Sequence, residues 1–181
     1  MKDLSLHILD IVQNAITADA GSICISIMED TAANTYRIRI EDDGHGMSRE
    51  MVEKVTDPYY TSRTTRKVGL GIPLFKQNAE QTGGRLTIDS TPGEGTTIEA
   101  LFVHDNIDRP AVGDIPGVTG MLIGGNPDIR FRYVHRKDDK DFVLDTREVS
   151  EALDGMPVSD PAIVRYLKEM IQENLQDMDA I

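Results

Sequence analysis

Residues 36–46 read YRIRIEDDGHG and combine two signals in one short stretch. Apolar side chains first alternate with charged ones, which is typical of a strand with one buried face. The strand then runs into Asp42 and into Gly44 and Gly46, and glycine lets the backbone turn sharply. A carboxylate at this position can accept a hydrogen bond from the exocyclic amine of adenine. An ordinary Asp-Gly turn gives the same pattern, so the stretch alone leaves both readings open.

The residues before this stretch predict a helix over residues 4–18, because apolar side chains recur there at helical spacing. Asp10 and Asn14 lie one turn apart on its polar face. The neutral amide oxygen of Asn14 suits a Mg²⁺ ion that already carries triphosphate charge. The Asp10 carboxylate could orient or deprotonate a water that attacks a γ-phosphate. The alternative is that both side chains are solvated on a helix surface, or that Asp10 supports a metal ligand from behind.

A third motif, Gly69-Leu70-Gly71, stands directly before another predicted helix. Backbone amides at a helix N-terminus bind phosphate oxygens, and glycine permits their close approach. Just upstream, a predicted loop carries three basic side chains, those of Arg63, Arg66 and Lys67. The motif lacks the Lys-Ser/Thr ending of a P-loop and the third glycine of a Rossmann fingerprint. A lone Gly-x-Gly before a helix is weak evidence for a phosphate site.

Composition limits the function classes that this chain can serve. It has 181 residues, a formal net charge of −12 and one cysteine, Cys24. The acidic balance argues against nucleic-acid binding and against an anionic membrane surface, since both need clustered Lys and Arg. The N-terminus lacks the apolar core of a signal peptide, and no apolar run reaches transmembrane length. We therefore expect a reduced, cytoplasmic protein with a buried Cys24 thiol.

Glycine and proline divide the chain into two predicted parts. Residues 105–128 hold three Pro and five Gly, which predicts a linker or an ordered loop. Beyond it, residues 129–181 predict a hairpin, a short helix after Asp145 and a longer helix beginning at Pro161. We expect this small α+β module to dock a protein partner, or alternatively to cover one face of the first domain. A homodimer is among the assemblies left open.

Five segments together bear a specific resemblance that none of them carries alone. They are residues 9–18, 40–47, 57–63, 68–72 and 95–97, and their order and spacing resemble the GHKL ATP-binding domains. This family contains gyrase, Hsp90-type chaperones, histidine kinases and MutL-like ATPases, and the resemblance covers residues 4–104. Residues 57–63 resemble a phenylalanine box with tyrosines, which favours the histidine-kinase branch. The resemblance implies a two-layer α/β sandwich, the GHKL/Bergerat fold, with ATP held between a helix and a lid.

The resemblance also implies a role for each motif residue. Asn14 would ligate Mg²⁺, Asp42 would read adenine, and Asp10 takes the position where hydrolysing members carry a glutamate base, one methylene longer. Gly44 and Gly46 would shape the adenine pocket. The remaining implied contacts are Met47 against the base, Thr96 in support of Asp42, Gly69, Leu70 and Gly71 along the phosphates, and Arg63 and Lys67 beside the triphosphate.

The expected function is Mg-ATP binding, with slow hydrolysis or phosphoryl transfer to a separate protein. Only three residues precede Leu4, so we expect no dimerising hairpin with a phosphoacceptor histidine, and His7 is a poor acceptor candidate. One alternative is an anti-sigma-type serine kinase, which uses the same fold as a stand-alone chain. A second is a non-catalytic ATP-sensing subunit whose lid reports nucleotide to a neighbouring protein.

Overall fold

The computed structural model describes residues 3–57 and 71–181 of the chain. The helices and strands alternate along the sequence and are labelled in chain order. The six helices of these residues are α1 (Leu4–Thr17), α2 (Arg49–Val55), α3 (Gly71–Gln81), α4 (Ile115–Gly125), α5 (Thr146–Ala152) and α6 (Pro161–Asp177). The six strands are β1 (Ser22–Asp30), β2 (Thr35–Asp42), β3 (Arg85–Thr91), β4 (Gly95–Val103), β5 (Arg130–Lys137) and β6 (Lys140–Asp145).

Local capping explains where several helices begin. Ser48 accepts a hydrogen bond from the Met51 backbone N–H at 3.3 Å and starts α2. Asp145 caps α5 through the Arg147 backbone N–H at 3.0 Å. Asp160 caps α6, whose first turn contains a proline that has no N–H to leave unsatisfied. The predicted starts of α5 and α6 are confirmed because each depends only on neighbouring residues.

All six strands form one mixed sheet in the order β3-β4-β2-β1-β5-β6. Neighbouring strands are antiparallel except β1 and β5, which are parallel. The register places Asp42, at the end of β2, opposite Thr96 near the start of β4. The two ends of the sheet therefore differ: one gathers Asp42 and Thr96, and the other gathers the last residues of β1 and β5.

One face of the sheet is covered by helices and forms the core. Alternate residues of β1, Ile23, Ile25 and Ile27, are at most 1% exposed. The helices α1, α3, α4 and α6 contact one another in pairs and contribute buried apolar residues to the same core. On the other face, Arg37 and Arg39 lie near Glu99. The two-layer α/β architecture expected from the sequence is confirmed.

The predicted linker or loop over residues 105–128 is wrong in its central part, where α4 runs. Asp114 caps this helix through the Gly117 backbone N–H at 2.8 Å. Gly124 serves helix packing, because a Cβ atom there would lie 2.6 Å from Val164 Cγ2 of α6. Composition signalled a loop, whereas close approach of two helices is the physical reason for Gly124.

The residues after α4 extend the same sheet. β5 pairs with β1 along its whole length, from Ser22 opposite Arg130 to Glu29 opposite Lys137. β6 then completes the hairpin predicted for this segment. Phe131 and Tyr133 of β5 are fully buried among the side chains of the common core. The division of function between residues 1–104 and 129–181 stays a prediction.

Candidate ligand-binding site

A cavity of about 220 Å³ opens at the end of the sheet where β2 ends and β4 begins. The helix α1 forms one wall, α2 forms another, and Ile72 at the start of the described part of α3 closes a third side. Five of the predicted site residues line it: Asn14, Asp42, Gly46, Met47 and Thr96. Residues of the first helix, of the Asp-Gly stretch and of the strand that begins at Gly95 therefore meet at one place although they lie far apart in the chain.

Asp42 places a half-buried carboxylate on the cavity wall. Burial raises its pKa above the ordinary value, while hydrogen bonds from the backbone N–H groups of Gly44 and Thr96 partly offset that effect. The Gly44 N–H lies 2.9 Å from Oδ1. The carboxylate thus has fixed orientation and retains acceptor capacity toward the cavity.

The two glycines after Asp42 are required by close backbone contacts. A Cβ atom on Gly44 would lie 2.7 Å from the carbonyl oxygen of Ala18, at the end of α1. Gly46 has a φ of +67°, and a Cβ atom there would lie 2.1 Å from the Thr91 carbonyl oxygen. Larger residues at either position would push the turn away from α1 and β3. These contacts explain why both positions hold glycine, and the role of the glycines in an adenine pocket stays a prediction.

Ser90 supports the cavity from behind and was missing from the residues predicted for the site. Its Oγ accepts a hydrogen bond from the Met47 backbone N–H at 2.8 Å and donates to the Gly95 carbonyl oxygen at 3.0 Å. It also lies 2.8 Å from Thr96 Oγ1. Residues 91–95 contain a Pro-Gly pair typical of a turn, and pairing the residues on either side of that turn places Ser90 opposite Thr96. This pairing is the sequence signal that could have identified Ser90.

Apolar side chains supply most of the remaining wall. Ile11 and Ala15 come from α1, Val55 from α2 and Ile98 from β4. Each of these four residues is at most 5% exposed. A mainly apolar cavity with one carboxylate in its wall suits a heteroaromatic ring that carries an amino group. These residues follow ordinary core spacing in the sequence, which is why no motif distinguished them.

Asn14 and Asp10, one turn apart on α1, have different surroundings in the folded chain. Asn14 is half-buried and borders the cavity. Asp10, one turn earlier, lies against the start of the described part of α3: a Cβ atom on Gly71 would be 2.5 Å from its Oδ2. Gly71 therefore brings backbone close to the Asp10 carboxylate at the junction of α1 and α3.

The predictions for Arg63, Arg66, Lys67, Gly69 and Leu70 lie outside the described residues. Within residues 3–57 and 71–181, no group of three or more His, Cys, Asp or Glu side chains could hold a metal ion. Asn14 borders the cavity with an amide oxygen, a ligand type that Mg²⁺ accepts, and Mg²⁺ bound with nucleotide phosphates commonly has few protein ligands.

The sequence matches the family described as histidine kinase-, DNA gyrase B- and HSP90-like ATPases over residues 2–106. This match spans more than half of the chain, and the chain belongs to that family. The resemblance inferred from the five motif segments is thereby confirmed.

Curated relatives include two proteins of Caulobacter and Brucella. The chain is 32% identical over 100 residues to the non-motile and phage-resistance protein of Caulobacter vibrioides, covering 50% of this chain and 12% of that protein. It is 29% identical over 109 residues to the cell-division control histidine kinase PdhS of Brucella abortus, covering 52% of this chain and 10% of that protein. The chain thus spans about a tenth of the length of these relatives.

Two solved structures share the fold at low sequence identity. The ATPase domain of Aquifex aeolicus MutL, complexed with ADP, aligns with a TM-score of 0.51 at 16% identity, covering 85% of this chain and 70% of that chain. The N-terminal domain of a DNA repair protein gives 0.55 at 16% identity, covering 80% and 53% respectively. At this identity the likeness concerns the fold alone.

The helices of residues 3–57 and 71–181 include none that is both long and apolar enough to cross a membrane.

Proposed function

We propose that this chain binds ATP together with Mg²⁺ in the cavity between α1 and the ends of β2 and β4. The observation that carries the proposal is Asp42, a fixed carboxylate acceptor in the wall of a mainly apolar cavity. The family membership and the ADP complex of the MutL ATPase domain support the same ligand class. The adenine ring would lie against Met47, with its amino group toward Asp42 and Thr96 behind that carboxylate.

Discrimination between adenine and guanine tests the base assignment. Guanine presents a carbonyl oxygen where adenine presents its amino group, so it would face the Asp42 carboxylate with two acceptors. A lost hydrogen bond to a charged group costs about 1.5–3 kcal/mol, or roughly one to two orders of magnitude in affinity. Calorimetric titration with ATP and GTP measures this difference directly. Equal affinities for the two nucleotides would contradict the adenine assignment.

Asn14 is proposed to ligate the Mg²⁺ that accompanies the triphosphate. It borders the cavity, and its amide oxygen is a hard, neutral ligand. We expect Asn14→Ala to remove most of the Mg²⁺-dependent gain in ATP affinity while leaving adenosine affinity unchanged. Gln13→Ala, an exposed amide at the adjacent position of α1, is the matched control. Equal Mg²⁺ dependence in both variants would assign the metal to other groups.

The chemical step is proposed to be slow hydrolysis or phosphoryl transfer to a separate protein, with Asp10 as the base. Aspartate is short for this role, so the attacking water would be poorly placed and turnover low. Incubation with γ-labelled ATP separates free phosphate from labelled protein. Asp10→Asn should lower phosphate release further and leave ATP affinity within about twofold. Unchanged release in this variant would move the base elsewhere.

Phosphoryl transfer to a protein is favoured by the histidine kinase named among the relatives. The partner is proposed to dock on residues 105–181. The anti-sigma-type serine kinase and the ATP-sensing subunit make different predictions in the same experiment. A serine kinase yields acid-stable label on a partner, whereas a sensing subunit binds ATP and releases no phosphate above the uncatalysed rate.

A further inference from the structure

Three side chains connect α1 to α3 outside the cavity: His7, Phe75 and Asn78. The His7 imidazole stacks on the Phe75 ring with centroids 4.7 Å apart and planes 19° from parallel. Its Nε2 lies 2.7 Å from the side-chain nitrogen of Asn78. His7 and Phe75 are at most 1% exposed, and Asn78 is half-buried. One buried imidazole therefore contacts two consecutive turns of α3.

The imidazole in this cluster is neutral. Burial lowers the pKa of His7 to about 4. As placed, the Asn78 amide N–H donates to Nε2, which puts the imidazole proton on Nδ1; with the amide reversed, Nε2–H donates to its oxygen. Nδ1 is buried and has no hydrogen-bond partner in the described part of the chain.

An unpartnered buried nitrogen destabilises the fold, and two apolar side chains would fill this space without that penalty. Buried polar pairs are therefore poor stabilisers, and their best-attested use is to select one relative placement of two helices. The two polar groups meet only when α3 lies in this particular register on α1. The cluster is thus suited to fixing a position rather than to adding stability.

The position that the cluster fixes is that of Gly71 relative to Asp10. Asn78 lies about 10 Å along the axis of α3 from Gly71, from a rise of 1.5 Å per residue. His7 lies one turn before Asp10 on α1, and Gly71 packs directly on the Asp10 carboxylate. The helix α1 also carries Asn14 at the cavity. Sliding or rotating α3 on α1 would move Gly71 and Ile72 relative to both Asp10 and Asn14.

We propose that His7 and Asn78 are positioning residues for the phosphates of the nucleotide. They hold α3 so that its first described turn stands beside Asp10 and Asn14, while Asp42 and Thr96 at the adenine end are held by hydrogen bonds and strand pairing of β2, β3 and β4. This inference rests on the proposed ATP binding and adds residues that do not touch the ligand. It separates the site into an adenine end and a phosphate end with different structural supports.

Calorimetric titration of adenosine and Mg-ATP against wild type, Asn78→Leu and the His7→Leu/Asn78→Leu double variant tests the proposal. We expect the ATP affinity of both variants to fall about tenfold, the equivalent of one lost hydrogen bond, with adenosine affinity unchanged within about twofold. His7→Gln keeps a neutral hydrogen-bonding side chain opposite an intact Asn78. Its loss of ATP affinity should therefore be smaller than that of the double variant. Gln77→Leu, an exposed amide on the same helix, is the matched control and should bind both ligands as wild type does.

The outcomes separate the two proposals. Absence of ATP binding to wild type would refute the proposed function and this inference with it. Wild-type ATP binding with an unchanged ratio of ATP to adenosine affinity in the variants would overturn only the positioning role. A parallel loss of both ligands would also overturn it, because that pattern indicates general destabilisation. Thermal melts without ligand show which variants fold; if the double variant does not, the half-buried Asn78→Leu decides the question.

Discussion

Two carboxylates at opposite ends of the sheet have opposite environments. Asp42, at the end of β2, borders a cavity and receives backbone hydrogen bonds with capacity to spare. Glu29, near the end of β1, is only 5% exposed and is surrounded by protein donors. Its Oε1 lies 2.7 Å from His135 Nε2 and its Oε2 lies 3.0 Å from His104 Nε2. The Asp42 carboxylate is therefore available to a ligand, whereas each oxygen of Glu29 already has a histidine partner.

The pKa values of the two groups reflect this difference. Burial dominates at Asp42 and raises its pKa. Burial also acts on Glu29, but the hydrogen bonds from His135 and His104 together outweigh it and hold its pKa below the ordinary value. His135 is itself anchored, since its Nδ1 lies 2.8 Å from the Tyr133 hydroxyl. A buried polar group with complete protein partners is structural, whereas one with spare capacity at a cavity is a candidate ligand contact.

Removing the C-terminal part should have the largest effect. Truncation after Val103 would delete His104 and His135, leave Glu29 without either partner and expose the edge of β1. It would also remove α4 and α6, which supply core residues such as Leu122 and Ile171. We expect the truncated chain to aggregate or to lack a cooperative melt in circular dichroism. A soluble fragment with a wild-type melting temperature would show that residues 1–103 fold without the C-terminal part.

Matched carboxylate-to-amide changes should separate stability from binding. Glu29→Gln leaves one histidine N–H without an acceptor, so we expect a loss of about 1–3 kcal/mol in the free energy of unfolding, with ATP affinity unchanged. Asp42→Asn should leave the urea midpoint nearly unchanged and weaken ATP binding by about one to two orders of magnitude. Glu94→Gln, in an exposed turn, controls for the change in net charge.

The comparison of the two ends of the sheet thus predicts that Glu29→Gln lowers stability without weakening ATP binding, and that Asp42→Asn does the reverse. If Glu29→Gln weakened ATP binding as much as Asp42→Asn does, the two ends of the sheet would be coupled. If Asp42→Asn lowered stability as much as Glu29→Gln does, Asp42 would be a structural residue. Urea unfolding and calorimetry on the same preparations measure both quantities.

The last expected effect, confined to acid pH, is the pH dependence of stability caused by His7. Its folded pKa of about 4 lies below the unfolded value of 6.5, so unfolding takes up a proton as the pH falls through this window. We expect this to remove about 2 kcal/mol of stability between pH 7 and pH 5. Glu29 adds a further loss below its ordinary pKa, whereas the raised pKa of Asp42 acts in the opposite direction.

The test is to compare urea unfolding of wild type and His7→Leu at pH 7 and pH 5. Stability should change less with pH in the variant, because its only altered titratable group is His7. An identical pH dependence in the two proteins would mean that His7 is protonated in the folded state as readily as in the unfolded chain.

Signals that span a few residues were readable from the sequence. The predicted helix starts after Asp145 and at Pro161 depend on caps whose side chains lie within three residues of the N–H that they accept from. Strand alternation likewise identified β2 and its end at Asp42. The family and its fold also followed, because five short motifs in a fixed order are specific even where each is weak.

Contacts between distant residues were not readable in the same way. The helix α4 was hidden by its glycines, and only the closeness of Val164 shows why Gly124 is one of them. Ser90 required the register of β3 on β4. The side chain of Glu29 meets His135 only because β5 returns beside β1 in parallel. Local sequence patterns do not show which distant residues meet in this way.

The sequence by itself determined the class of fold and the starts of α5 and α6, and it singled out Asp42, Asn14 and Gly46, which line one cavity. These depend on local hydrogen bonds, side-chain period and motif order. Only the tertiary structure decided which carboxylate faces a cavity and which is enclosed by histidines, and that His7 and Asn78 meet between α1 and α3. The physical reason is that the environment of a polar group is set by residues far away in the chain, and strand order and helix packing alone bring them together.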